Sequence, residues 1–245
     1  MAAPTLQAEG ALTGVTTGTV SPTIPTHQAN DILFATVIAY VPNTISDAAV
    51  IPTVASWTKL GETRMVGGVD IEGGVAFFWT RAPSAGTTVT FTRGASWDTG
   101  TDSCFAARVD VIRGCINTGN PWDAAALSAR HEAADQPFDA VTVSGSERMV
   151  VQFGGCGDNT TFAMTASGWT AGTGSSISTG TDANSMNQRK DNVSSSTGAD
   201  TATVTAPANA GSAYVYCGVS FKPPVTGRGI GPRVILQAVN RASTY

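Results

Sequence analysis

What most constrains this chain is how little charge it carries. Asp, Glu, Lys and Arg make up only 13% of its residues, against about 25% in an average soluble domain. Helices usually clothe their solvent faces in Glu, Lys and Arg. Strands can use Thr and Ser, whose branching or small size suits a pleated surface. A chain in which Thr, Ser, Gly and Ala replace charge is therefore expected to be β-rich before any pattern is read. With 245 residues, 42% of them hydrophobic, it is long enough to bury a sizeable core in one large domain or two small ones.

Pattern supports composition. Strand-like runs fall at 19–24, 32–40, 58–66, 75–81, 87–92 and 104–113, then at 138–143, 148–153, 175–179, 201–205 and 213–222. Turn formers such as Pro42-Asn43, Gly67-Gly68, Gly73-Gly74 and Gly154-Gly155 separate them. Only 122–134, preceded by Pro121, reads as a short helix or an ordered loop. The landmarks also recur. The first half runs from the apolar stretch beginning at Asp31 through Ser56-Trp57-Thr58 and Thr88-Val89-Thr90 to Val109-Asp110-Val111-Ile112-Arg113. The second runs from Glu147-Arg148-Met149 through Gly168-Trp169-Thr170 and Thr203-Val204-Thr205 to Val219-Ser220-Phe221-Lys222. Two halves that cannot each cover an apolar face would pack together. The expectation is all-β: a single jelly-roll-like antiparallel sandwich of two related halves over 12–224, with an N-terminal segment at 1–11 and an extended arm at 225–245.

The net charge of −4 gives no sign of the basic excess that nucleic-acid binding requires. The longest largely apolar run, from Ile32 to Val41, is about ten residues, too short to span a bilayer. The first residues show neither a basic n-region nor an apolar h-region, so no secretory signal is expected. Cys104 and Cys115 bracket a strand of roughly 36 Å at about 3.3 Å per residue, while a disulfide needs Cα atoms within about 7 Å. Together with the core phase of Cys217, this points to free thiols at Cys104, Cys115, Cys156 and Cys217.

No motif proposes a catalytic, cofactor or metal site. His27 and His131 lie outside any H-E-x-x-H pattern, and no G-x-S-x-G elbow occurs. Asp70 with Glu72, and Asp98 with Asp102, are candidate hydrolase pairs; a solvated face explains the first equally well, and Asp98–Asp102 reads as a polar turn rather than a calcium loop. Gly227-Arg228-Gly229-Ile230-Gly231 is followed by Pro232, not by the helix a phosphate cradle needs. Among the tryptophans, Trp57, Trp79 and Trp169 read as packing residues. Trp97 and Trp122 read as exposed loop residues and are the candidate glycan contacts. The arm carries Arg228, Arg233 and Arg241 without an acid, and its Val234-Ile235-Leu236 run can add to a sheet edge. These six are the candidate assembly contacts.

The order Ala29-Asn30-Asp31-Ile32-Leu33, Ser56-Trp57-Thr58-Lys59-Leu60-Gly61, Phe78-Trp79-Thr80-Arg81-Ala82-Pro83, Asn120-Pro121-Trp122-Asp123-Ala124 and Val219-Ser220-Phe221-Lys222-Pro223 resembles β-sandwich structural proteins of tailed bacteriophages and prophages. The resemblance covers roughly 20–224. It implies a virion accessory subunit, a head decoration first and a neck or tail appendage second, working by contacts with other virion proteins and with its own copies. Such a subunit is made in the host cytoplasm and ends in the particle. It implies no catalysis, no nucleic acid and no membrane. The alternative is a carbohydrate-binding or receptor-recognition module.

Overall fold

The computed structural model describes residues 2–16, 18–40, 54–67, 70–93, 104–130, 136–137, 141–157, 163–165, 167–177, 183–194, 203–205 and 214–225. Among them the first half supplies β1 (Thr5–Ala8), β2 (Thr13–Val15), β3 (Thr19–Val20), β4 (Ile32–Tyr40), β5 (Thr58–Gly67), β6 (Asp70–Arg81), β7 (Phe91–Thr92) and β8 (Cys104–Arg113). The second half supplies β9 (Trp122–Arg130), β10 (Gln136–Pro137), β11 (Arg148–Cys156), β12 (Ala163–Thr165), β13 (Thr170–Ala171), β14 (Ser175–Ile177), β15 (Ala183–Val193), β16 (Thr203–Thr205) and β17 (Tyr214–Phe221).

The two large sheets repeat one plan. The first has the order β1-β8-β4-β6-β5, with β2 also on β8. The second, in the same sense, has β9-β17-β11-β15-β13, with β14 also on β15. Each half thus places its opening strand beside its last strand, with a nine-residue strand, β4 or β11, at the centre. Smaller pairings follow suit: β3 lies on β7 in the first half, and β10 lies on β16 in the second, where β12 adds to the other side of β16. Every pairing is antiparallel. The result is the expected β-sandwich of two related halves, one sheet from each. These strand orders establish the sandwich and not a jelly-roll course.

Alternation along the central strands explains the packing, because successive side chains take opposite faces. Ile32, Phe34 and Ile38 of β4 face the second sheet, where Met149, Val151 and Phe153 of β11 and Val219 and Phe221 of β17 meet them. The Phe34 and Phe153 rings stack with centroids 4.0 Å apart. The other face of β4, with Leu33, Ala35, Val37 and Ala39, is also buried, under Val20, Trp57, Val89 and Phe91. Burial on both faces is why 32–40 reads as a continuous apolar run. On the outer face of the second sheet, Val150 and Val193 pack with Val143, and Val141 and Trp169 flank them.

Three expectations change. Residues 122–134 were expected to form a short helix or ordered loop; Trp122–Arg130 is instead a strand, where pairing along β17 and a core slot for Trp122 outweigh the helix preference of an alanine run. The 1–11 segment does not stand outside the sandwich: Thr5, Leu6 and Ala8 pair with Arg113, Ile112 and Val111. Finally, β15 was not foreseen. Its sequence, ANSMNQRKDNV, is polar, yet Asn184, Ser185, Asn187 and Gln188 are buried in it.

Candidate functional site

The densest polar cluster lies between the sheets. On β8, Ala106 and Ile112 point into the shared core, so Arg108 and Asp110, in phase with them, point there too. Arg108 is 1% exposed and Asp110 2%. Arg108 Nε donates to Asp110 Oδ1 at 2.8 Å, and Nη1 donates to the Thr173 carbonyl at 2.6 Å and that of Ser185 at 3.3 Å. Glu9 Oε1 lies 3.4 Å from Arg108 Nη2, and the Glu9 carboxylate also accepts the Thr173 N–H. Asp110 accepts the Gly10 N–H at 3.0 Å and the Asn187 side-chain amide at 3.1 Å. Gly10 is required here, since a Cβ would run into the Val109 carbonyl oxygen. Burial pushes the Asp110 carboxyl up from its ordinary value; the Arg108 charge and hydrogen bond and the Gly10 N–H oppose that, while the Glu9 charge adds to it. The cluster ties the N-terminal segment, β8, and the strands around 173–187 together. Chemically it is a charge network, buried at Arg108 and Asp110 and open to solvent only at Glu9.

Two further arginine–carboxylate pairs hold the sheet ends. Arg113 binds Asp31 through Nε at 2.9 Å and Nη2 at 2.7 Å, and Asp31 also accepts the Gln28 N–H. The Asp31 hydrogen bond raises the Arg113 pKa. Arg148 binds Asp123 through Nε at 2.6 Å and Nη2 at 3.4 Å, and the Ser144 N–H adds a third bond. Burial alone would raise the Asp123 carboxyl, but the bonds from Arg148 and Ser144 outweigh it and hold it below the usual range.

The candidate glycan contact Trp122 is corrected by this geometry. It is 9% exposed and packed in the shared core, edge-on to Trp79 at 4.6 Å and to Phe221 at 6.4 Å, so it offers no stacking face to a sugar. Trp97, and the assembly candidates Arg228, Arg233, Val234, Ile235, Leu236 and Arg241, lie outside the described residues, as do His131, Asp98 and Asp102. Trp57 is buried at 6% exposure and packs edge-on against Phe91. His27 sits in a loop and is buried: Nδ1 meets the Pro25 carbonyl at 2.7 Å and Nε2 accepts the Thr87 N–H at 3.0 Å. All four cysteines are buried, and none is in a disulfide. Burial pushes the Cys115 thiol up to about 12 and raises that of Cys217 as well.

Among the described residues, no group of three His, Cys, Asp or Glu side chains gathers at metal-binding distance. No helix there is long and apolar enough to cross a membrane. An open cleft of about 350 Å³ lies between residues 2–6 and Arg189, Asp191 and Asn192; Arg189 and Asp191 face each other at 3.4 Å. Sequence reasoning missed the Arg108–Asp110 cluster. Its signal was legible, however: two charges at period two within the apolar run Ala107-Arg108-Val109-Asp110-Val111. Comparison with family models, curated proteins and solved structures gives no match.

Proposed function

We propose that this chain is a passive structural subunit of a bacteriophage particle, an accessory on its surface that acts through protein contacts. A head decoration is the first choice and a neck or tail appendage the second. One observation carries the reading: three arginine–carboxylate clusters hold strands together. Arg108, Asp110 and Glu9 tie the two sheets and the N-terminal strand, and Asp31–Arg113 and Asp123–Arg148 tie the sheet ends. A rigid, low-charge knob rich in Thr and Ser suits a part exposed outside the cell. Docking would fall to residues 225–245, where Arg228, Arg233 and Arg241 flank the strand-competent Val234-Ile235-Leu236.

The test is incorporation into purified particles of the full chain and of a version ending at Pro224. The expected result is entry of the full chain and exclusion of the shortened, folded one. Failure of both to associate with any particle overturns the reading.

A further inference from the structure

Arg108, Arg113 and Arg148 each face a carboxylate. Arg81 faces none among the described residues. It ends β6 on the same face as Val75 and Phe77, toward the shared core, and sits opposite Ile32. Its Nη2 donates to the Gly119 carbonyl at 3.3 Å, while Nη1 is buried with no hydrogen-bond partner. Two residues earlier on that face, the Trp79 indole N–H is likewise buried and unpartnered. Both groups are donors only. The Arg81 side chain is half-buried, but an unmet buried donor on a cation without a counter-charge calls for an explanation.

The neighbouring groups do not supply the missing charge. Burial pulls the Arg81 pKa down, and the nearby Cys115 interaction opposes this only in part. The Cys115 thiol, pushed up to about 12, stays protonated at neutral pH. Asp31 is engaged by both Arg113 nitrogens and by the Gln28 N–H. Over the cluster runs a short loop. Backbone bonds from Ile116 to Lys222 and from Lys222 to Pro121 pin its two ends; the tip at Asn117, Thr118, Gly119 and Asn120 is exposed. Arg81 itself stays partly exposed, so a small acceptor can reach it by displacing the single long bond to Gly119.

We propose that Arg81 and the Trp79 indole N–H, beneath the 117–120 loop at one end of the sandwich, form a binding site for a single oxyanion. A guanidinium and a neighbouring N–H match the oxygens of a carboxylate, sulfate or phosphate, because charge-assisted bonds to such groups are the strong ones. The same chemistry can come from a free inorganic anion or from an acidic side chain of an adjoining protein.

The test uses the full chain titrated with sodium sulfate and, separately, sodium acetate, each against sodium chloride at matched ionic strength. Tryptophan fluorescence, to which Trp79 and Trp122 contribute with three other tryptophans, is one readout, and the melting temperature is a second. The expected result is a saturable change with one of the two oxyanions, weakened at least about tenfold in Arg81→Gln, or about 1.4 kcal/mol, and unaltered in Arg189→Gln. Trp79→Phe, which keeps the ring and removes the N–H, is expected to weaken binding as read by melting temperature. Preference for sulfate identifies a free inorganic oxyanion as the occupant, and preference for acetate identifies a protein carboxylate. A response that chloride reproduces, or that folded Arg81→Gln retains in full, overturns the proposal.

Discussion

At Arg108 one side chain meets four partners, Asp110, Glu9 and the backbone carbonyls of Thr173 and Ser185, and Gly10 joins the cluster through Asp110. Removing the Arg108 side chain leaves the buried Asp110 and the partly exposed Glu9 without their shared cation. Arg108→Ala is therefore expected to cost about 3–5 kcal/mol, measured as the shift in a urea unfolding midpoint. The two described aspartates with displaced pKa values act oppositely with pH. Asp123 is held low, so its contribution is present above the ordinary aspartate value of about 3.9 and is lost as pH falls through its folded value. Asp110 is held high, so its contribution is present at low pH and is lost as pH rises through its folded value. Asp123→Asn should flatten the acid limb of the stability profile, with wild type and variant converging in strong acid. A gap that stays constant from pH 7 down to pH 2 would contradict this.

Among the elements, the turns before equivalent strands show how closely the halves correspond. Ser56 precedes Trp57 and β5 with φ of 68°, and Gly168 precedes Trp169 and β13 with φ of 82°. Both turns need the left-handed region, which costs an ordinary residue about 1–2 kcal/mol. Gly168→Ser should therefore destabilise by about 1 kcal/mol, while Ser56→Gly should be neutral or stabilise by less than that, because glycine also enlarges the unfolded ensemble. Thermal melts of the two single variants check the asymmetry. Asn30 at 71° and Glu147 at 58° mark a second matching pair, ahead of β4 and β11. The halves differ beneath their outer covers. The first buries Trp57, Phe78 and Phe91 there. The second buries Gln152 and Gln188, joined by a 2.6 Å hydrogen bond.

On the scale of the whole molecule, the apolar inner face of each sheet has only the other to cover it, so the halves are expected to unfold together. A single calorimetric transition, with calorimetric and van't Hoff enthalpies equal, is the expected outcome; two separated transitions would show independent halves. The N-terminal segment is part of this unit. Deleting residues 1–11 removes β1, the Glu9 carboxylate and the Gly10 N–H from the junction, and should lower the melting temperature by more than about 5 °C, since a few kcal/mol at this size corresponds to about 2–4 °C each. A melting temperature unchanged by the deletion would return those residues to the status of an appendage.

Composition and pattern were enough for the class, because low charge, Thr and Ser on strand surfaces and turn residues between short runs leave little besides stacked sheets. They determined the central strands 32–40 and 104–113 to the residue, or within one, since runs buried on both faces are written in apolar residues. They also showed the two halves, because their landmarks recur in order. Only the tertiary structure decided what local preference cannot encode. The polar β15 is a strand because several of its side-chain donors find acceptors across the sandwich or along the sheet, as with the Asn187 amide N–H on Asp110 and the Ser185 hydroxyl on the Gly154 carbonyl. Trp122 is a core residue because β9 finds an open flank on β17. Arg108 and Arg81, alike in sequence as basic residues in apolar strands, part company there: one meets carboxylates brought from residues 9 and 110, and the other meets none among the described residues. Such pairings depend on which distant segments the fold brings to the same place.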